Sequence, residues 1–349
     1  MSKYFNLRLG KTQLLINKKS FTVILTLLLL TVAMVITSLG FGQMKVNPVE
    51  VVKAIFGYGT DMNQLVVNHF RMPRILLAIL AGAGLAMSGA ILQGIIRNPL
   101  ASPDIIGITA GAALTTVGFL AVFSDRSNAL SVSIQWLPLA SLVGAVLMGV
   151  FVYLLATTRN GVQPIKLVLI GVGLSAAVQA VTTMVMTFGP IYTAAKANIW
   201  LTGSLNATNW TEIGIITPWI LGLVVLIFFY TSQLNMQELG DDLATNAGAR
   251  VQRDRLVLLI LATALAGGSV AFAGGIGFVG LMAPHIARRL VGSVYGALLP
   301  VSALIGGLIV LLADLIARTA FDPLVVPAGV FTSLIGAPYF IYLLFKTRK

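Results

Sequence analysis

A chain of 349 residues that is 57% hydrophobic and only 10% charged is excluded from the soluble globular class, which carries about 25% charged residues. Its formal charge of +12 would suit nucleic acid, but the cations lie between long apolar blocks rather than in a basic stripe, and that excludes such a partner. With no cysteine, disulfides and cysteine-based metal or redox chemistry are excluded too, and the lipid bilayer is left as the natural solvent.

In chain order, residues 1–20 carry Lys3, Arg8, Lys11, Lys18 and Lys19 and read as a basic cytoplasmic tail. The apolar run 21–41 is longer than the roughly 7–15 residues of a signal core and reads as a first membrane span. Uncharged blocks near the required length of about 20 residues recur at 75–96, 105–123, 136–156, 167–188, 213–231, 256–284, 296–313 and 324–345. Both ends are basic, with Lys346, Arg348 and Lys349 in the tail 346–349. Lysine and arginine favour the cytoplasmic side, so the number of crossings is even and one of the nine blocks is double. Block 256–284 is overlong and breaks at Ala273-Gly274-Gly275. The expectation is an all-α integral membrane domain over 21–345, with about ten helices and both termini cytoplasmic. On that topology the inner segments hold 16 of the 23 Lys/Arg and 5 of the 11 Asp/Glu. Asp314 is the ionisable residue read as lying deepest in a span, and it sits near an end, which argues against a proton relay.

Between the spans, Pro48 and Gly57 bracket a short outer surface helix at 49–56. Gly82, Gly84, Ser88 and Gly89 suit close helix packing or a translocation path. Arg97-Asn98-Pro99 ends the second span, and Ser102-Pro103-Asp104 starts the third with serine as cap. Residues 189–212 form an outer segment, with Trp200 and Trp210 at interface depth. The cytoplasmic stretch 232–255 predicts two short helices: a turn around Met236–Leu239, a break at Gly240, then a helix capped by Asp241 and closed by Gly248. Leu239, Leu243 and Ala247 share one face at four-residue spacing. That edge either docks on something cytoplasmic or packs on the chain's own bundle. His285 reads as a helix-terminus residue, with no metal-ligand cluster near it.

Several strings resemble the FecCD-type permeases, the transmembrane subunits of type II ABC importers for ferric siderophores, haem and cobalamin. They are Arg71-Met72-Pro73-Arg74, the run from Gly82 to Gly89 with Gln93, Arg97-Asn98-Pro99-Leu100-Ala101-Ser102-Pro103-Asp104-Ile105-Ile106-Gly107, Trp200-Leu201-Thr202-Gly203-Ser204, Gly274 to Leu281 with Pro284-His285-Ile286-Ala287-Arg288, Leu312 to Arg318, Pro327-Ala328-Gly329 and Gly336-Ala337-Pro338. Val325 stands where the family often has glutamate, and Gly275 where it usually has proline.

The resemblance implies ten spans and a loop between the sixth and seventh that docks on the ATPase, here through Met236, Leu239, Gly240, Asp241, Leu243, Ala247 and Gly248. It implies that Arg71, Arg74 and Arg318 meet acidic residues of a binding protein; snorkelling to lipid headgroups is the other reading of arginines at helix ends. Implied partners are a second permease, identical or paralogous, two ATP-binding-cassette ATPases and an extracytoplasmic substrate-binding protein, in the cytoplasmic membrane of a prokaryote. No Gly-x-x-x-x-Gly-Lys-Ser/Thr loop occurs, so ATP and magnesium are expected on a separate chain, and this chain is expected to bind no cofactor. A ferric siderophore is the first expectation for the cargo, with haem and cobalamin open. An ion-coupled secondary transporter is the competing reading, since the double glycines near 267 and 274 suit broken helices. A scaffold or membrane enzyme ranks below both.

Overall fold

In a computed structural model of the chain, residues 4–9, 12–124, 130–158, 161–189, 191–321 and 324–346 are described. The basic tail holds an antiparallel hairpin of β1 (Tyr4–Leu9) and β2 (Thr12–Asn17), which apolar patterning over so short a stretch did not reveal. The Asn17 side chain then caps α1 (Lys18–Gly40). The short helix α2 (Pro48–Ile55) forms as predicted: Asn47 accepts the Val49 N–H at 3.1 Å, proline occupies the first turn, and Gly57 follows at φ +80°. α3 (Asp61–Gln64) and a π-helical stretch, Leu65–Arg71, run straight into α4 (Met72–Ile96). Pro73 has no N–H for the carbonyl four residues back, and the wider π turns lie just before it. The Trp210 indole N–H, read from sequence as a belt residue only, satisfies the Asn68 carbonyl of this stretch at 2.9 Å.

Ser102 caps α5 (Pro103–Ile106), and Gly107 at φ +88° breaks the chain before α6 (Ile108–Phe123). α7 (Leu137–Ala156) and α8 (Pro164–Phe188) are joined by a two-residue pairing of β3 (Thr157–Thr158) with β4 (Gly161–Val162). Segment 189–212 contains a helix that its sequence did not mark, α9 (Ile191–Leu201), whose run through Ala194, Ala195 and Ala197 has high helix propensity. α10 (Trp210–Phe229) starts at Asn209, which accepts the Glu212 N–H. The short helices α11 (Thr231–Glu238) and α12 (Asp241–Asn246) follow. The overlong block divides where its glycines predict, into α13 (Val251–Ala273) and α14 (Val279–Val291). α15 (Tyr295–Thr319) and α16 (Ala328–Lys346) complete the bundle.

Among the described residues, seven helices are long and apolar enough to cross a membrane, and Ile108–Phe123 and Ala328–Leu343 are shorter apolar helices. α14 is shorter still, at 13 residues. The protein is therefore an all-α, multi-pass membrane bundle.

α4 is the axis, packed against α13, α14 and α15. Its small residues allow backbones to touch. A Cβ on Gly82 would lie 2.7 Å from the Gly306 carbonyl carbon, and one on Gly89 would lie 2.7 Å from Gly280 Cα. At Gly84 the neighbour would be the Ser269 hydroxyl instead. Ser88 donates to the Ala262 carbonyl at 2.7 Å, tying α4 to α13. All four residues hold helices together. Backbone cannot rotate away as a hydroxyl can, so Gly89→Ala is expected to cost about 1–3 kcal/mol and Gly84→Ala less. Thermal unfolding of the detergent-solubilised protein checks that order. At the periphery α8 buries only Leu167, Gly171 and Thr182 of its 25 residues.

Candidate functional site

The loop of α11 and α12 has two faces. Leu234, Gln237 and Ala244 are buried against the bundle, and Met236 is half-buried. Leu239 and Leu243 are each 61% exposed, and Ala247 is exposed beside them. Gly240 at φ +110° makes the bend between α11 and α12. Gly248 at φ +88° closes α12, with the Ala249 N–H returning to the Ala244 carbonyl at 2.9 Å. The predicted edge exists and faces outward, while the opposite side packs on the chain itself.

One expectation is corrected. Asp241 does not cap the helix: it is the first helical residue, Gly240 occupies the cap position, and no side chain caps α12. The Asp241 carboxylate instead accepts from Arg255 Nη2 at 2.8 Å and from Arg97 Nη2. Two guanidinium partners draw the carboxylate away from the backbone N–H groups of its own helix, because each ion pair joins two full charges where a cap joins only one. Arg97, the left-handed residue that ends α4 at φ +53°, also donates from Nε to the Gln237 carbonyl at 2.9 Å. Burial, helped by the nearby Arg255 charge, lowers the Arg97 pKa, and Asp242 opposes the shift. On the other side of the loop, Arg288 donates to Glu238 at 2.6 Å, and the Tyr295 N–H donates to Asn235 Oδ1 at 3.0 Å. The Tyr295 hydroxyl lies within reach of both Glu238 and the Ala90 carbonyl. Arg97, Asn235, Glu238, Arg255, Arg288 and Tyr295 thus brace the loop. Sequence reading missed them as a set, because the partners lie 14 to 144 residues apart.

At the other end of the bundle the structure gathers Arg71, Arg74 and Arg318, but turns them inward. Arg71 is buried and donates to the carbonyls of Leu39 and Met44. Arg318 donates to the Phe41 carbonyl at 2.7 Å, to Ser38 Oγ at 2.6 Å and to the Ser38 carbonyl. These carbonyls lie at and just past the end of α1, where a helix leaves C=O groups without partners and where cations are favoured. Arg74 pairs with Asp314 at 2.7 Å and reaches Asn206. Asp314 is fully buried and lies 3.6 Å from Arg318 Nε. These guanidinium groups clamp α1, α4 and α15 together. They present neither the free forks that docking would use nor the lipid-directed tips of snorkelling.

His285 lies inside α14 rather than at its terminus, edge-on to the Tyr339 ring at 5.9 Å. No group of three His, Cys, Asp or Glu able to hold a metal occurs among the described residues. Asp104, read from sequence only as part of a helix start, accepts from the Thr109 hydroxyl at 2.6 Å across the break between α5 and α6. The Trp200 carbonyl fixes the break after α13 by accepting the Gly275 N–H at 3.0 Å.

The FecCD transport family matches residues 29–346. "Probable siderophore transport system permease protein YfhA" of Bacillus subtilis is 55% identical over 343 residues, covering 98% of this chain and 99% of that protein. The iron(3+)-hydroxamate import system permease protein FhuG of the same organism is 42% identical over 333 residues, covering 95% and 98%. Among solved structures, the inward-facing conformation of a metal-chelate type ABC transporter superposes with a TM-score of 0.82 at 30% identity, covering 93% of this chain and 99% of that one.

Proposed function

Because the chain belongs to the FecCD transport family and is a permease subunit of an ABC importer rather than an enzyme, we propose that it carries a ferric siderophore across a prokaryotic cytoplasmic membrane. The observation that carries this reading is the end-to-end match to siderophore and iron-hydroxamate permeases. In this reading the chain crosses the membrane ten times, with α1, α4, α6, α7, α8, α10, α13, α14, α15 and α16. Both ends and the loop of α11 and α12 then face the cytoplasm.

Two ATPase subunits supply the work, with ATP and magnesium bound on them, and a second permease copy completes the path. The exposed edge of Leu239, Leu243 and Ala247 docks the ATPase, with Met236, Gly240 and Gly248 shaping it. ATP-driven closure of the ATPases then moves the loop, and the bundle alternates between outward- and inward-open states. An extracytoplasmic binding protein delivers cargo to the face above Arg71, Arg74 and Arg318.

The test is uptake of radioiron-loaded siderophore by the complete importer. Uptake is expected to stop when ATP is depleted with ion gradients held, and to resist collapse of the gradients with ATP present. Uptake that follows the gradients would replace this reading with a secondary transporter. Saturable uptake of haem or cobalamin but not of siderophore would reassign the cargo.

A further inference from the structure

The outward edge of the loop offers a handle for an ATPase, but a handle must be joined to the helices it moves. Arg255, in the second turn of α13, is 1% exposed. Its Nη2 donates to Asp241 Oδ1 at 2.8 Å, and its Nη1 donates to the Val162 carbonyl at 3.0 Å. Three residues earlier on the same helical face, Gln252 Oε1 accepts the Val162 N–H at 3.0 Å. α13 therefore grips both backbone polar groups of Val162, two residues before α8 begins at Pro164. Arg97 brings the end of α4 to the same Asp241 carboxylate.

A guanidinium is a rigid planar fork. Between Asp241 and Val162 it acts as a single strut, with one prong on the loop and the other on the turn joining α7 to α8. A buried charge is costly to keep, and apolar replacements of buried ion pairs are often as stable or more so. Arg255 is thus poorly explained by stability alone. Its far end is tied to α8, which has few buried residues to hold it in place.

We infer that Arg255 is a positioning residue that carries movement of the α11–α12 loop, through Asp241 at one end and Val162 at the other, to α8. This rests on the reading of that loop as the ATPase-docking site. Docking and transmission are then separate properties of neighbouring residues: the exposed leucines hold the ATPase, and the buried arginine passes its displacement on.

The experiment uses the complete importer in liposomes, with Arg255→Gln, Asp241→Asn and the double variant. Each single change is expected to leave ATPase co-purification and the KM for cargo as in the parent. Cargo moved per ATP hydrolysed should fall at least tenfold. The double variant should be no worse than either single, because both cut one link. Arg255→Lys keeps the charge without the fork and should also fall. Parent-like transport per ATP in both singles would overturn the inference, as would additive losses. Loss of the ATPase in proportion to lost uptake would overturn it too, since Arg255 would then merely shape the docking surface. If Arg255→Gln does not fold, Asp241→Asn decides alone, because that side chain is 41% exposed and the change is isosteric. An ATPase that still co-purifies with Leu243→Asp would sink the docking reading instead, so the two failures are told apart.

Discussion

Replacing Leu243 with aspartate is expected to reduce ATP-driven uptake at least tenfold while the permease still folds and inserts. Leu243 is 61% exposed in this chain alone, and exposed substitutions away from special features usually change stability by no more than about 0.5 kcal/mol. The cost falls on the interface. Covering a leucine side chain contributes about 1.5–3 kcal/mol, and a carboxylate forced into the same apolar seat adds a desolvation penalty. Since about 1.4 kcal/mol corresponds to a tenfold change in affinity, the loss is at least one to two orders of magnitude in docking. Co-purification of the ATPase and uptake into intact cells measure it. Parent-level uptake would show that this edge docks nothing needed for transport. Leu239→Asp, on the same edge, should behave alike.

The second large effect is expected at the opposite end, from Asp314→Asn. The carboxylate is fully buried, paired with Arg74 at 2.7 Å and set 3.6 Å from Arg318. Asparagine keeps the shape and removes the charge. Removing one partner of a buried ion pair costs about 3–5 kcal/mol. The lower end applies here, because Arg74 keeps some access to water. Arg318 also holds carbonyls of α1, so the strain should spread to that helix. A lowered midpoint of thermal unfolding in detergent, with early loosening of residues 38–44, is the expected result. An unchanged midpoint would show that the arginines are adequately solvated without the carboxylate.

What could be read in advance followed from local chemistry. The start of α2 at Pro48, the cap at Ser102, the closing turn at Gly248 and the division of block 256–284 at Gly274 depend on residues within a few positions of one another. The order of apolar blocks marked the helices of the membrane bundle. What stayed hidden depends on pairs brought together by folding. Asp241 has the sequence of a cap, yet its carboxylate is claimed by Arg97 from the end of α4 and Arg255 from α13. Arg71 and Arg318 have the positions of surface charges, yet the open end of α1 draws them in. The helix α9 was missed for a different reason: it is short, alanine-rich and without a long apolar stripe, so neither span length nor periodicity marks it. In each case an ionic or propensity signal was present, but its destination was not written nearby.

The thin attachment of α8 has a consequence for the chain as a physical object. A helix that buries three of 25 residues in its own fold draws most of its side-chain contacts from whatever lies beside it, whether lipid or another subunit. Part of this protein's cohesion is then set by its surroundings and shifts by mass action with their composition. Diluting the protein in the bilayer or stripping it into a poor detergent would slacken this region first, with no change to a single residue.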